Sequence, residues 1–161
     1  MTVSEGKFID LSLKIFIFSG LSDVKVYTKN HFNYFHPSIH FFKKVQNSLI
    51  GARVHERVIV TLEPFEAYGD YNDDLIYTVN RTVENENCDP HLGQKLEIGL
   101  GDGRNKSGIV IFKDYDHLHI DTNHPLAGSK LMFDIFIKNI SCVNQKNSHP
   151  QALNFEDDFN L

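Results

Sequence analysis

The sequence predicts an α+β chain, mostly β, built as two lobes of which the second interrupts the first. Three observations carry this. Apolar residues recur with a period of two in residues 8–18, 57–62 and 130–140, the signature of strands with one buried face. Helical spacing occurs in one short stretch, Phe41 and Phe42 through Val45 to Leu49. A polar, turn-rich break at residues 67–74 is followed by three further short strand patterns.

In chain order, Ile9, Leu11, Leu13, Ile15 and Ile17 fall on one side of the first strand, and residues 20–23 turn the chain. Val24 and Val26 suggest a second strand, after which residues 30–40 form an irregular aromatic and histidine stretch. Pro37-Ser38 precedes the helix and Gly51 offers its stop. Val58, Val60 and Leu62 then face one way until Pro64 ends that strand. Residues 95–100, 108–113 and 117–121 read as a small sheet of their own, with Asp102-Gly103 as hairpin turn chemistry between the first two. Residues 123–128 turn again, and residues 130–140 make a long apolar strand that returns to the main sheet. Residues 142–161 read as a flexible tail, since Asn, Gln, Ser and Pro dominate and Phe155 and Phe159 lie among acids.

At 161 residues the chain fits one domain, or one small domain carrying an insert. Hydrophobic residues at 41% are enough to build a core, which argues against overall disorder. A formal net charge of -5 supplies no cationic excess for phosphates, so neither nucleic acid nor a membrane surface is the expected partner. Two cysteines, Cys88 and Cys142, without a C-x-x-C pairing indicate no disulfide framework or structural zinc. The apolar run 15–18 is too short for a secretory h-region or a membrane span, and a cytoplasmic location is expected.

Several constellations invite chemistry. The glycine cluster 99–107 ends in Lys106-Ser107, but Asn105 and Leu100 stand where a phosphate loop needs glycine, and no helical pattern follows, so a hairpin is expected. Nine histidines raise a metal hypothesis, with His36/His40 or His117/His119 able to share a face, yet no third ligand stands near in a recognisable pattern. No metal and no cofactor is expected. Glu63, Glu66 and Asp70 crowd one loop without a nucleophile or paired-acid pattern, which reads as a solvated acidic face. Aromatic residues gather near turns: Phe32, Tyr34 and Phe35, then Phe41 and Phe42, then Tyr68 and Phe133. By themselves these suit the core of a small β domain.

Three passages change that weighting. Residues 49–60, beginning Leu49-Ile50-Gly51-Ala52-Arg53-Val54-His55-Glu56-Arg57, run from helix into strand. Residues 64–76 contain Pro64-Phe65-Glu66-Ala67-Tyr68-Gly69 and close on Leu75-Ile76. Residues 121–135 read Asp121-Thr122-Asn123-His124-Pro125-Leu126-Ala127-Gly128 and continue through Leu131 and Phe133 to Ile135. Together they resemble FKBP-type peptidyl-prolyl cis-trans isomerases of the SlyD-like branch, over about residues 7–141, and the third passage is the most specific.

The resemblance implies an FKBP-type antiparallel sheet wrapped on a short helix, formed by residues 1–75 and 123–141, with a β-rich insert-in-flap domain at residues 76–122. It implies a prolyl isomerase, or rotamase, that accelerates X-Pro isomerisation in unfolded or nascent chains, with chaperone-type client binding by the insert. The alternative is a non-catalytic client-binding chaperone with a decayed pocket. Proline-containing polypeptides are the implied partners, and a monomer is expected. By resemblance the catalytic residues are Tyr68, Phe133, Phe32 and Phe42, and the substrate-binding residues Leu11, Phe41 and Val45. Tyr68 would supply a hydroxyl to the substrate carbonyl. Three features depart from the family. Its pocket acid falls at Tyr27 or Asp23 depending on alignment, Lys43-Lys44 stand before the helix, and His55 replaces a turn glycine.

Overall fold

The computed structural model describes residues 1–20, 23–38, 41–80 and 89–142. The expected tail beyond Cys142, Cys88, and the pairing of His36 with His40 therefore lie outside the described residues. The described chain is mostly strand with one α-helix. It divides into two compact units, Met1–Asp70 with Gly128–Leu161, and Tyr71–Ala127.

The first unit is an antiparallel sheet of β1 (Lys7–Ser19), β2 (Asp23–His36), β3 (Arg57–Leu62) and β8 (Lys130–Cys142), in the order β2-β1-β8-β3. The long apolar strand thus sits inside the sheet. Its Leu131, Phe133, Ile135 and Ile137 are all 0% exposed, as are Ile9, Leu11, Leu13, Ile15 and Ile17 of β1. Each such side chain contributes about 1.5–3 kcal/mol of burial, and a one-residue slip would put the whole row in water. That row of burial fixes the register, in which Phe133 lies between Ile15 and Val60.

β2 runs unbroken to His36, where the sequence reading saw an irregular stretch after Val26. The reason is a bulge. Lys29 pairs with Leu13 but Phe32 pairs with Leu11, so the chain spends an extra residue there and the inward positions change from odd to even numbers. Beyond the bulge Phe32, Tyr34 and His36 alternate inward and are buried. Val24 and Val26, which suggested the strand, lie 50% and 55% exposed.

The helix α1 (Lys43–Leu49) buries Val45, Gln46 and Leu49, and Gly51 beyond its end adopts φ 84°. His55 holds φ 68°, a left-handed backbone that a non-glycine residue adopts at a cost. Its N–H donates to the Ile137 carbonyl at 2.7 Å, and Ile137 N–H donates to Glu56 at 3.0 Å, so the strained turn is tied to β8.

The second unit is a four-stranded antiparallel sheet in the order β4-β7-β6-β5: β4 (Ile76–Asn80), β5 (Lys95–Gly99), β6 (Asn105–Lys113) and β7 (His117–Asp121). The fourth strand, β4, escaped the sequence reading because it follows the turn-rich loop directly and buries only part of Tyr77 and Val79 against Ile98, Val110, Leu118 and Ile120. The glycine cluster forms the β5–β6 hairpin, with Leu100 N–H donating to the Arg104 carbonyl at 2.9 Å and Gly103 at φ 86°. Gly108 is a close-approach glycine, since a Cβ there would lie 2.7 Å from the Asp121 carbonyl oxygen and 2.6 Å from Ile120 Cγ2.

Candidate functional site

Five of the seven side chains singled out by the sequence meet as a continuous series of rings in the first unit. Tyr68 packs edge-on to Phe42 with centroids 5.4 Å apart, and Phe42 to Phe133 at 5.8 Å. Phe133 meets Phe41 at 6.0 Å, and Phe41 meets Phe32 at 6.0 Å. These separations and tilts are those of favourable aromatic pairs. Leu11 is the cross-strand partner of Phe32, and Val45 lies buried on α1 three residues after Phe42.

Burial sorts the seven into two groups. Leu11, Phe32, Phe41, Val45 and Phe133 are buried and form the floor, whereas Phe42 and Tyr68 are half-buried and carry the surface of the cluster. Sequence order alone does not separate them. Tyr34 also joins the cluster, 5.3 Å from Phe41, with its hydroxyl 2.9 Å from His36 Nδ1. Burial pushes the Tyr34 hydroxyl well above its ordinary pKa. The His36 pKa is lowered, chiefly by burial and against the opposing pull of Glu5. The alternation Phe32-Tyr34-His36 was the signal that could have placed both residues.

Local structure holds the two surface rings. Phe42 caps α1, and the next turn is fastened by Gln46, a buried amide that the sequence reading did not single out. Gln46 Oε1 accepts from Ser38 N–H at 2.8 Å, while Nε2 donates to the Ser38 carbonyl at 2.6 Å and the Phe41 carbonyl at 2.5 Å. Tyr68 follows the 3-10 turn Pro64–Glu66, where Glu66 accepts from Glu63 N–H in a capping box. Gly69, at φ 84°, donates to the Pro64 carbonyl at 2.8 Å and accepts from Gly128 N–H at 2.9 Å. Pro64 and Gly128 thus fix both sides of the residue beside Tyr68.

Two ion pairs flank the site. Lys44 Nζ donates to both Glu66 oxygens at 2.8 and 2.6 Å, and the Glu66 pKa is lowered first by that bond and then by the bond from Glu63 N–H. Glu63 pairs with Lys130 at 2.8 Å. Of the two positions for the family's pocket acid, Asp23 lies at the far end of β2, nine residues before Phe32, and Tyr27 pairs with Ile15. No carboxylate from that stretch joins the rings. Among the described residues no group of three histidine, cysteine or acidic side chains is placed to hold a metal ion. Among them, too, no helix is long and apolar enough to cross a membrane.

The cluster is thus a series of apolar rings that carries the hydroxyls of Tyr34 and Tyr68, the first of them buried against His36. No family model matches the chain. Among curated proteins it is similar to the FKBP-type 16 kDa peptidyl-prolyl cis-trans isomerase of Escherichia coli strain K12, 30% identical over 96 residues, which is 60% of this chain and 64% of that protein. It is similar to the FKBP-type isomerase SlyD of Treponema pallidum strain Nichols, 30% identical over 96 residues, 60% of this chain and 54% of that protein. SlyD of Aeromonas hydrophila is 28% identical over 107 residues, 66% of this chain and 50% of that protein. The chain therefore spans half to just under two thirds of these relatives' lengths. Its similarity is to FKBP-type and SlyD isomerases, in line with the resemblance that its three motif passages carry.

Proposed function

We propose that the chain accelerates cis-trans isomerisation of X-Pro bonds in unfolded or nascent polypeptides, and that its second unit binds those clients. The observation that carries the reading is the ring series ending at the surface in Phe42 and Tyr68. Rotation about a peptide bond faces a barrier of about 18–20 kcal/mol because resonance gives the C–N bond double-bond character. No bond is made or broken, so the catalyst needs no nucleophile, metal or proton carrier. It needs a surface that binds the twisted amide better than either planar isomer.

Twisting localises the nitrogen lone pair and reduces charge separation. An apolar ring surface that strips water from the amide therefore disfavours the planar, polar ground state relative to the twist. In this reading Phe42 and Tyr68 receive the prolyl ring, Tyr68 donates its hydroxyl to the carbonyl, and Phe133, Phe41 and Phe32 keep the floor rigid and dry. Lowering the barrier by about 4 kcal/mol yields roughly a thousandfold acceleration. Client capture draws support from the second unit's exposed apolar side chains, Leu92 at 62%, Ile111 at 45%, Phe112 at 47% and Tyr115 at 83%, and from its strand edges β4 and β5. Tethering a client near a weak prolyl site raises its effective concentration.

A second reading, a client-binding module without catalysis, is favoured by the deep burial of five of the seven side chains. NMR exchange spectroscopy on a prolyl peptide, run beside an aggregation-suppression assay, separates the two. The isomerase reading expects faster exchange with the wild-type chain and a loss of about three- to tenfold in Tyr68→Phe, the worth of one hydrogen bond. Phe133→Ala is a poor probe, because truncating a fully buried phenylalanine costs about 3–5 kcal/mol of stability. Suppressed aggregation with exchange no faster than in buffer would establish the non-catalytic module instead.

A further inference from the structure

Beside the two surface rings lies a shallow groove of about 500 Å³, lined by Lys43, Lys44, Asn47, Ser48 and Glu66. It adjoins them through the chain, since Lys43 directly follows Phe42 and Glu66 precedes Tyr68 by two residues. Most of its polar groups are already engaged. Lys44 is held by both Glu66 oxygens, and Ser48 Oγ donates to the Lys44 carbonyl at 2.9 Å. Lys43 is exposed and has no carboxylate partner among the described residues. Asn47 is exposed four residues further along, so both side chains stand on one face of α1. An ammonium and an amide N–H₂ at that spacing can share a carboxylate between them.

We infer that Lys43, assisted by Asn47, selects clients with an acidic residue close to the proline. This rests on the isomerase reading and assigns its substrate preference. Phe42 and Lys43 are successive residues, and an extended chain advances about 3.3 Å per residue, so the acid lies within about two positions of a proline seated on Phe42 and Tyr68. The chain's net charge of -5 repels acidic clients as a whole, which leaves the preference to a local cation.

The test is a peptide series with a single Glu or Lys at each of the two positions on either side of the proline, with exchange rates measured by NMR at low and high salt. At one or more positions the Glu peptide is expected to exceed its Lys counterpart in kcat/KM by about two- to fivefold at low salt, the range of a solvent-exposed ion pair, and to lose that lead at high salt. Lys43→Gln brings the ratio to one and Lys43→Glu inverts it. A ratio of one at every position in the wild type, or a ratio unchanged in Lys43→Gln, overturns the inference while leaving the isomerase reading intact. Exchange accelerated with no peptide in the series removes that reading and the inference with it.

Discussion

Replacing Gln46 with leucine keeps the volume of a buried helix residue while deleting the three hydrogen bonds that fasten Ser38 and Phe41 to α1. Each such bond contributes about 1 kcal/mol net, so the deletion costs about 3 kcal/mol. The Phe41 carbonyl, in a buried bond, suffers most, whereas the half-buried Ser38 groups regain some water. The more apolar leucine returns about 1 kcal/mol through burial. The net expectation is a loss of about 2 kcal/mol, read as a fall of about 1 M in the urea midpoint at an unchanged slope for a chain of this size. Far-UV circular dichroism follows the unfolding. A midpoint within 0.2 M of wild type, a change of less than about 0.5 kcal/mol, would refute the view that this amide fastens the floor of the ring cluster.

His55 holds a left-handed backbone with its ring stacked 6.2 Å from Phe136. Both His55→Ala and His55→Gly lose the stack, so their difference isolates the backbone, and the glycine variant is expected to be the more stable by about 1 kcal/mol in thermal or urea unfolding. Acid sensitivity follows from His36. Its folded pKa lies below the unfolded value because burial disfavours the charged ring. The unfolded chain therefore takes up the proton first as pH falls. The His36 contribution is complete above the ordinary imidazole pKa of about 6.5 and is lost as pH drops from there toward the folded value. Urea midpoints across pH 5–8 are expected to fall on the acid side in the wild type, with a flatter dependence in His36→Gln.

Much of the architecture was legible because a strand with one buried face writes its period of two into the chain. The rows Ile9 to Ile17 and Leu131 to Ile137 declared β1 and β8, and the Phe41–Leu49 spacing declared α1. Short motifs with glycine at fixed places, Gly51, Gly69 and Gly128, carried the resemblance and drew attention to the seven side chains. Such features are local, and the sequence by itself determined them.

What tertiary structure alone decided is non-local. The bulge opposite Leu11 and Leu13 moved the second half of β2 into an even-numbered phase, so Tyr34 became a partner of both Phe41 and His36. β4 became a strand only by pairing with β7, forty residues further along. Gln46 acquired its role from carbonyls at Ser38 and Phe41 that no helical pattern reveals. Above all, the division of seven candidate side chains into a buried floor and two surface rings was settled by packing. Burial depends on which chain segments lie over a residue, and that information is spread across contacts distant in sequence.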